Sequence, residues 1–132
     1  EKRSLESATR EIMATLQRAK LEAIKSGLNS RVKFERNQSE WFYYIEKENS
    51  SGEWSQLAGF LKKSVPPDLN VNVSLKNDIV EFTPLGLVAD YEANKNTISV
   101  DNPELSEVNQ DDRRVITLYE GGAVHYQKAR SK

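Results

Sequence analysis

The stretch Leu5–Ser26, LESATREIMATLQRAKLEAIKS, decides the fold because its pattern is typical of one long amphipathic helix. Small and aliphatic residues recur in it at steps of three or four, which places their side chains on one face of an α-helix. That stripe consists of Leu5, Ala8, Ile12, Leu16, Ala19 and Ala23, and it is widened by Met13, Leu21 and Ile24. Gly27 follows, where a left-handed residue usually ends a helix. The sequence therefore predicts a helix over residues 1–27.

Beyond Gly27 the pattern changes to alternating apolar and polar residues, which is typical of half-buried strands. The clearest strand is Leu69–Leu75, in which Leu and Val alternate with Asn and Ser. No further clear helix separates the strands, and such an order favours an α+β fold with the helix packed on an antiparallel sheet or sandwich. We expect a single domain over 1–132, with the helix at 1–27 and a β-rich head at 28–132.

Turn-forming residues set the limits of the remaining strands. We expect strands over residues 31–35, 41–46, 79–82, 97–100, 114–119 and 123–127. Trp54–Lys63 is predicted to be irregular because Gly59 weakens a short helical pattern there. Leu87–Tyr91 is predicted to continue strand 79–82 beyond a bend at Pro84 and Gly86.

Composition excludes several classes of site. The 132 residues carry a net charge of −1 and no cysteine, which excludes disulfides, thiolate zinc sites and cysteine nucleophiles. No apolar run approaches the roughly 20 residues that a membrane-spanning helix needs. Because the first residue is Glu1 rather than Met, we expect a processed or trimmed chain.

Several segments resemble the GspH/FimT group of bacterial type IV pilin-like proteins, the minor pseudopilins and minor pilins. They are the helix end Leu16–Lys25, the strand and bend Ile79–Gly86 and the closing hairpin Arg114–Val124. In addition, Arg31–Phe34 stands where the first strand of that family follows the helix, and Trp41 and Trp54 stand in a region where the family often carries tryptophan. The chain departs from the family at Ala123, where Arg is common, and the family's N-terminal cleavage site and apolar segment are expected upstream of Glu1 rather than within residues 1–132.

The resemblance implies a type IV pilin-like fold and a structural role without catalysis, cofactor, metal or small-molecule substrate. In that family an upstream apolar segment extends the helix into the inner membrane, and the globular part is periplasmic or extracytoplasmic. The expected partners are other pseudopilins or pilins, in type II secretion or in type IV pili. We expect the N-terminal part of the helix, at Leu5, Ala8 and Ile12, to contact such partners.

DNA binding is an alternative function, since some members of the resembled group act in DNA uptake through basic C-terminal residues. The basic residues that would contact phosphates are Arg113, Arg114, Lys128, Arg130 and Lys132. Acidic residues lie close to them in sequence and offset their field. DNA therefore remains a possible partner of a natural-transformation pilin.

A small periplasmic hydrolase or sugar-binding domain is the second alternative. His125 is the only histidine, and no Ser-His-Asp order or metal-ligand spacing surrounds it. Glu46 and Glu48 could act as paired carboxylates, and the run Trp41–Tyr44 could stack on sugars or bases. Asp101 and Asp111–Asp112 could bind calcium, but they lack the spacing of a calcium loop. The sequence favours solvated acids and a strand with one buried face.

Overall fold

The computed structural model describes residues 2–104 and 111–129 of the chain. Its first element is the helix α1, Lys2–Ser26, which confirms the predicted N-terminal helix. The helix ends where the backbone N–H of Gly27 donates to the carbonyl O of Ala23 at 3.0 Å. Gly27 has a φ of 74°, the left-handed conformation expected after a helix end.

One face of α1 is fully buried along its length. Leu5, Ile12 and Leu16 have no exposed surface, and burying each such side chain stabilises a fold by about 1.5–3 kcal/mol. Ala19 and Ala23 continue the same face. This confirms the predicted stripe, although Ala8 and Met13 are only partly buried. Leu21 and Ile24 do not widen it, because these residues are 57% and 46% exposed.

The first sheet is antiparallel and is built around a long hairpin. Strands β1, Ser30–Asn37, and β2, Glu40–Glu48, pair along their whole length. The short strands β3, Trp54–Gln56, and β4, Lys63–Ser64, both pair with the outer edge of β2. Strand β6, Ile79–Phe82, pairs with the other edge of β1. The order is thus β3-β2-β1-β6, and β4 pairs with the same edge of β2 as β3 does.

The second sheet is also antiparallel and contains the remaining strands in the order β5-β7-β8-β9. They are β5, Asn70–Leu75, β7, Asn96–Asp101, β8, Arg113–Leu118, and β9, Val124–Ala129. A 3-10 turn at Lys76–Asp78 joins β5 directly to β6 and so connects the two sheets. Helix on antiparallel sheets is the α+β architecture that the order of elements predicts.

The core lies where α1 crosses both sheets. Each sheet turns alternate side chains towards the helix, as strand geometry requires. Sheet one contributes Val32, Phe34, Val80 and Phe82, and sheet two contributes Ile98, Val100, Ile116 and Leu118. Together with the buried face of α1 they belong to one continuous hydrophobic cluster. The buried hydroxyl of Ser30, at the start of β1, donates to the carbonyl O of Ala19 and fixes helix to sheet.

Two segments differ from the sequence-based expectation. Trp54–Lys63 was expected to be irregular, but its ends form β3 and β4 because the edge of β2 offers free backbone groups for pairing. Leu87–Tyr91 was expected to prolong β6 and does not. The bend at Pro84 and Gly86 turns the chain back, so that only Val88 bridges to Phe82, and Thr83 N–H donates to Leu87 O at 2.8 Å.

That bend meets the β8–β9 hairpin in a very close backbone contact. A Cβ atom on Gly122 would lie 2.0 Å from the carbonyl O of Gly86, which is far inside van der Waals distance. Gly122 also has a φ of 93°, which side chains rarely adopt. The Lys20 Nζ atom donates to Gly122 O at 3.2 Å, so α1 joins the same contact.

We predict that Gly122→Ala destabilises the domain by about 2–4 kcal/mol, because backbone strain and an overpacked contact add together. Gly52→Ala is the matched control: its φ of 83° is equally left-handed, but nothing lies within 4 Å of the added methyl group. The control should therefore lose only about 1–2 kcal/mol. Urea unfolding of both variants measures the difference, and equal losses would contradict the close contact.

Candidate functional site

The N-terminal half of α1 is the first predicted site. Leu5 and Ile12 have no exposed surface and belong to the core of this domain, so in the folded chain they are not available to a partner. This corrects the expectation that both lie on a partner surface. Ala8 is only partly buried and lines an open cleft. Contact between Ala8 and a partner stays a prediction.

The cleft beside Ala8 separates α1 from the segment that leads into β5. It has a volume of about 610 Å³, and its walls are Ser4, Ser7, Ala8 and Glu11 on α1, with Tyr43, Ser64, Val65, Pro66, Asp68 and Glu104 opposite. The hydroxyl of Tyr43 donates to Glu11 Oε1 at 3.3 Å, and Lys63 Nζ lies 3.7 Å from the same oxygen. Polar side chains of the domain itself therefore bind across this cleft.

An ion pair between a buried arginine and a partly buried glutamate joins the start of α1 to sheet two. Arg114 on β8 has no exposed surface, and its Nε donates to Glu6 Oε1 at 2.9 Å. Glu6 Oε2 accepts from the hydroxyl of Tyr126 at 2.8 Å and from Arg10 Nε at 3.1 Å. The hydrogen bonds from Arg114 and Tyr126 outweigh burial and lower the pKa of Glu6 to about 2.

The basic residues predicted to bind DNA are not brought together on one described surface. Arg114 is internal and cannot reach a phosphate while the domain is folded. Arg113 is held by Asp101 through bonds of 2.8 and 3.1 Å, so its charge is offset. Lys128 is exposed on β9, and Arg130 and Lys132 lie outside the described residues. DNA binding through the remaining residues stays a prediction.

The candidate catalytic residues are also separated from one another. His125 is exposed on β9 and packs edge-on against Tyr119, with ring centroids 5.2 Å apart. Glu46 is bound by Arg31 Nη2 at 2.6 Å rather than paired with Glu48.

Of the candidate calcium residues, Asp101 and Asp112 do lie close together, because β7 pairs with β8 and the backbone N–H of Asn102 donates to Asp112 O at 2.7 Å. Within residues 2–104 and 111–129, no group of three His, Cys, Asp or Glu residues could hold a metal ion.

The aromatic run Trp41–Tyr44 is partly core and partly covered by cations of the chain itself. Tyr43 and Tyr44 are buried, and Lys62 Nζ lies 5.0 Å from the ring centroid of Tyr44 and 5.9 Å from that of Phe42. The neighbouring Trp54 ring is covered in the same way by the Arg31 guanidinium at 4.0 Å. These cation–π contacts occupy ring faces that a sugar or base would need.

A small cleft of about 200 Å³ opens between the facing edges of the two sheets. Its apolar floor includes Leu75, Val80 and Leu118, and the amide of Asn96 donates to the hydroxyl of Tyr91 at 3.0 Å on its rim. Small-molecule sites usually have volumes of about 300–1,000 Å³. The volume of this cleft lies below that range.

The surface feature that sequence reasoning missed is an exposed apolar patch at the C-terminal end of α1. We call it the apolar patch and define it as Leu21, Ile24, Leu85 and Leu87. Among the residues that the structure describes, the other large exposed hydrophobic side chains are Leu61 and Tyr119. Tyr119 packs beside His125 on the face of sheet two that points away from α1. The signal was present in the sequence as Leu-Gly-Leu at the bend, but its meaning depends on which helix residues face outward.

Comparison with known proteins places the chain by family and by fold. The family described as type II transport protein GspH matches residues 8–122. The minor pseudopilin EpsH of the type 2 secretion system of Vibrio cholerae is similar in structure, with a TM-score of 0.71 and 14% identity over 95% of this chain and 97% of that one. Comparison with curated proteins finds no match.

The type IV minor pilin FimU of Pseudomonas aeruginosa is similar as well. One crystal form gives a TM-score of 0.69 at 18% identity, covering 96% of this chain and 90% of that one. A second crystal form gives 0.64 at 20% identity, covering 93% and 92%. The helix laid on two antiparallel sheets is therefore a fold that this chain shares with these pilin-like proteins. The chain belongs to the GspH family, because the match spans most of its length.

The ion pair at the start of α1 predicts a specific loss of stability in acid. The pKa of Glu6 falls from 4.5 in the unfolded chain to about 2 in the folded one, which corresponds to roughly 3 kcal/mol. Because the folded-state pKa is the lower one, this stability is complete above pH 4.5 and is lost as the pH falls towards 2. Urea unfolding between pH 7 and pH 2 measures it.

Two variants isolate that effect. Glu6→Gln should be less stable than wild type at pH 7, and the difference should shrink as the pH falls because the variant has no carboxylate to protonate. Glu120→Gln makes the same change at an exposed turn and should follow the wild-type curve. A Glu6→Gln profile parallel to wild type would contradict the assignment.

Proposed function

We propose that this chain is the periplasmic head of a minor pilin-like subunit that an apolar segment preceding Glu1 anchors in the inner membrane. The head assembles with other pilin-like subunits, either in type II secretion or in a type IV pilus. Family membership supports this role. Within the described residues, no helix has the length and apolar character of a membrane span.

The observation that carries the proposal is the way α1 is attached to the head. Its buried face packs on both sheets, the Glu6–Arg114 pair joins its first half to β8, and Tyr126 adds a bond from β9. Near its other end, Ser30 holds the carbonyl of Ala19. Because the helix is attached to the head along its length, a movement of the helix moves the head with it. A subunit that is held in an assembly through its helix needs this rigid attachment.

The polar chemistry of the head supports assembly rather than turnover. The strongest interactions in the described part of the chain are internal, as in Glu6 with Arg114, Arg31 with Glu46 and Arg113 with Asp101. Each of these carboxylates is bound by a guanidinium, which leaves it poorly suited to accept a proton from a substrate. Such pairs fix strands and helix relative to one another.

Fractionation of the native host tests location. We expect the full-length gene product in the inner-membrane fraction, and its head should become sensitive to added protease only after the outer membrane is permeabilised. A product found soluble in the cytoplasm would overturn the proposal. A periplasmic solute-binding protein provides the control that permeabilisation leaves the inner membrane intact.

Deletion of the gene distinguishes a role in type II secretion from a role in a type IV pilus. Loss of extracellular enzymes with normal surface pili indicates type II secretion, and the opposite result indicates a type IV pilus. Complementation with the wild-type gene should restore the missing phenotype. If deletion changes neither secretion nor piliation in a strain that performs both, the proposed assembly role is wrong.

A further inference from the structure

The apolar patch lies on two elements, α1 and the bend that follows β6. Gly86, between Leu85 and Leu87, approaches α1 so closely that an added Cβ would lie 3.2 Å from Ile24 Cδ1. Leu21 lies one helical turn from Ile24 on α1. The backbone N–H of Val88 donates to Glu120 O at 3.1 Å, which holds the bend beside the hairpin that carries Tyr119.

This surface has a fixed shape. The Gly86–Gly122 contact holds the bend and the hairpin together. Lys20 donates to Gly122 O and secures α1 to both. Leu85 is nevertheless 83% exposed at the end of the bend. Leu85 therefore contributes little to the core, and unlike the equally exposed Leu61 it lies among other exposed apolar side chains, which is the feature that marks an interaction surface.

The size of the patch indicates what covers it. Its exposed area falls within the ~300–600 Å² of the largest apolar patch on a typical monomer. A stable interface between soluble proteins takes about 800 Å² from each partner. The patch is therefore too small to hold a free dimer, but it is sufficient for a subunit that other contacts already hold in place.

Symmetry further restricts which surface can cover the apolar patch. If the patches of two copies met, they would form a closed twofold pair in which each patch is used up. A filament grows only when one surface of a subunit meets a different surface of the next. The occupant of the patch is therefore a different surface on an adjoining subunit.

We propose that the apolar patch is a docking surface for the head of a neighbouring pilin-like subunit in the same assembly, contacted head to tail. This inference rests on the proposed function and deepens it by naming the surface through which the head assembles. Leu85, as the most exposed member, should be the residue closest to the partner.

Site-specific crosslinking tests the contact directly. Because residues 1–132 contain no cysteine, Leu85→Cys introduces the only thiol of the head, which a maleimide–benzophenone reagent can label in permeabilised cells. Leu61→Cys is the matched control, since Leu61 is 82% exposed and lies outside the patch. We expect several-fold more adduct with a second pilin-like subunit from position 85 than from position 61, identified by mass spectrometry.

Other adducts would overturn the proposal. A Leu85→Cys disulfide between two copies would indicate the closed pair that the proposal excludes. Crosslinking to lipid alone would indicate a membrane surface instead of a protein. Equal yields from positions 85 and 61 would show that the patch is not preferred.

A second variant pair measures the consequence of losing the contact. Leu85→Asp and Leu61→Asp should both unfold at the wild-type temperature, since each side chain is exposed. Only Leu85→Asp should reduce co-purification with other pilin-like subunits from detergent-solubilised membranes, by several-fold. If wild type co-purifies with no pilin-like subunit, the proposed function is at fault. If wild type and Leu85→Asp co-purify with such a subunit equally, only the docking surface is wrong.

Discussion

The burial of one face of α1 against two separate sheets is the constraint on which the rest of the structure depends. Each sheet has an apolar inner face that would be exposed to water without the helix. Leu5, Ile12 and Leu16 supply the large side chains that both sheets share. Because the helix is the common partner, its position determines how β1 and β8 are oriented relative to each other.

The Glu6–Arg114 pair adds specificity to that hydrophobic contact. An ion pair with one buried partner offsets much of its own attraction through the loss of hydration, so it is weak evidence for net stability. Here Nη2 of Arg114 has no hydrogen-bond partner among the described residues, which adds to the cost. What the pair does supply is register: an α1 shifted by one turn would leave a buried guanidinium without its carboxylate.

The local sequence pattern was sufficient to predict the helix and most strands, but not which of their residues form the core, the ion pair or the exposed surface. The spacing of Leu16, Ala19 and Ala23 identified the buried face of α1, and alternation identified most strands. The same alternation placed Ile116 and Leu118 together without revealing that Arg114 shares their inward face, because its partner Glu6 is distant in sequence.

The partner role expected of Leu5 and Ile12 failed for a related reason, since the extent to which two sheets cover α1 is a tertiary property. The apolar patch was hidden likewise: Leu21 fits a helical stripe, and only the packed structure shows that it faces water.

The contact between the two ends of the chain also governs how the domain comes to be folded. Arg114 and Tyr126 lie 108 and 120 residues from Glu6 in sequence. The start of α1 therefore cannot close its contacts until the last hairpin has emerged, and contacts of such high sequence separation form slowly. Until then the apolar face of the helix stays open to aggregation. A nascent chain with this topology benefits from a holdase, or from tethering that keeps its copies apart, until translation or export is complete.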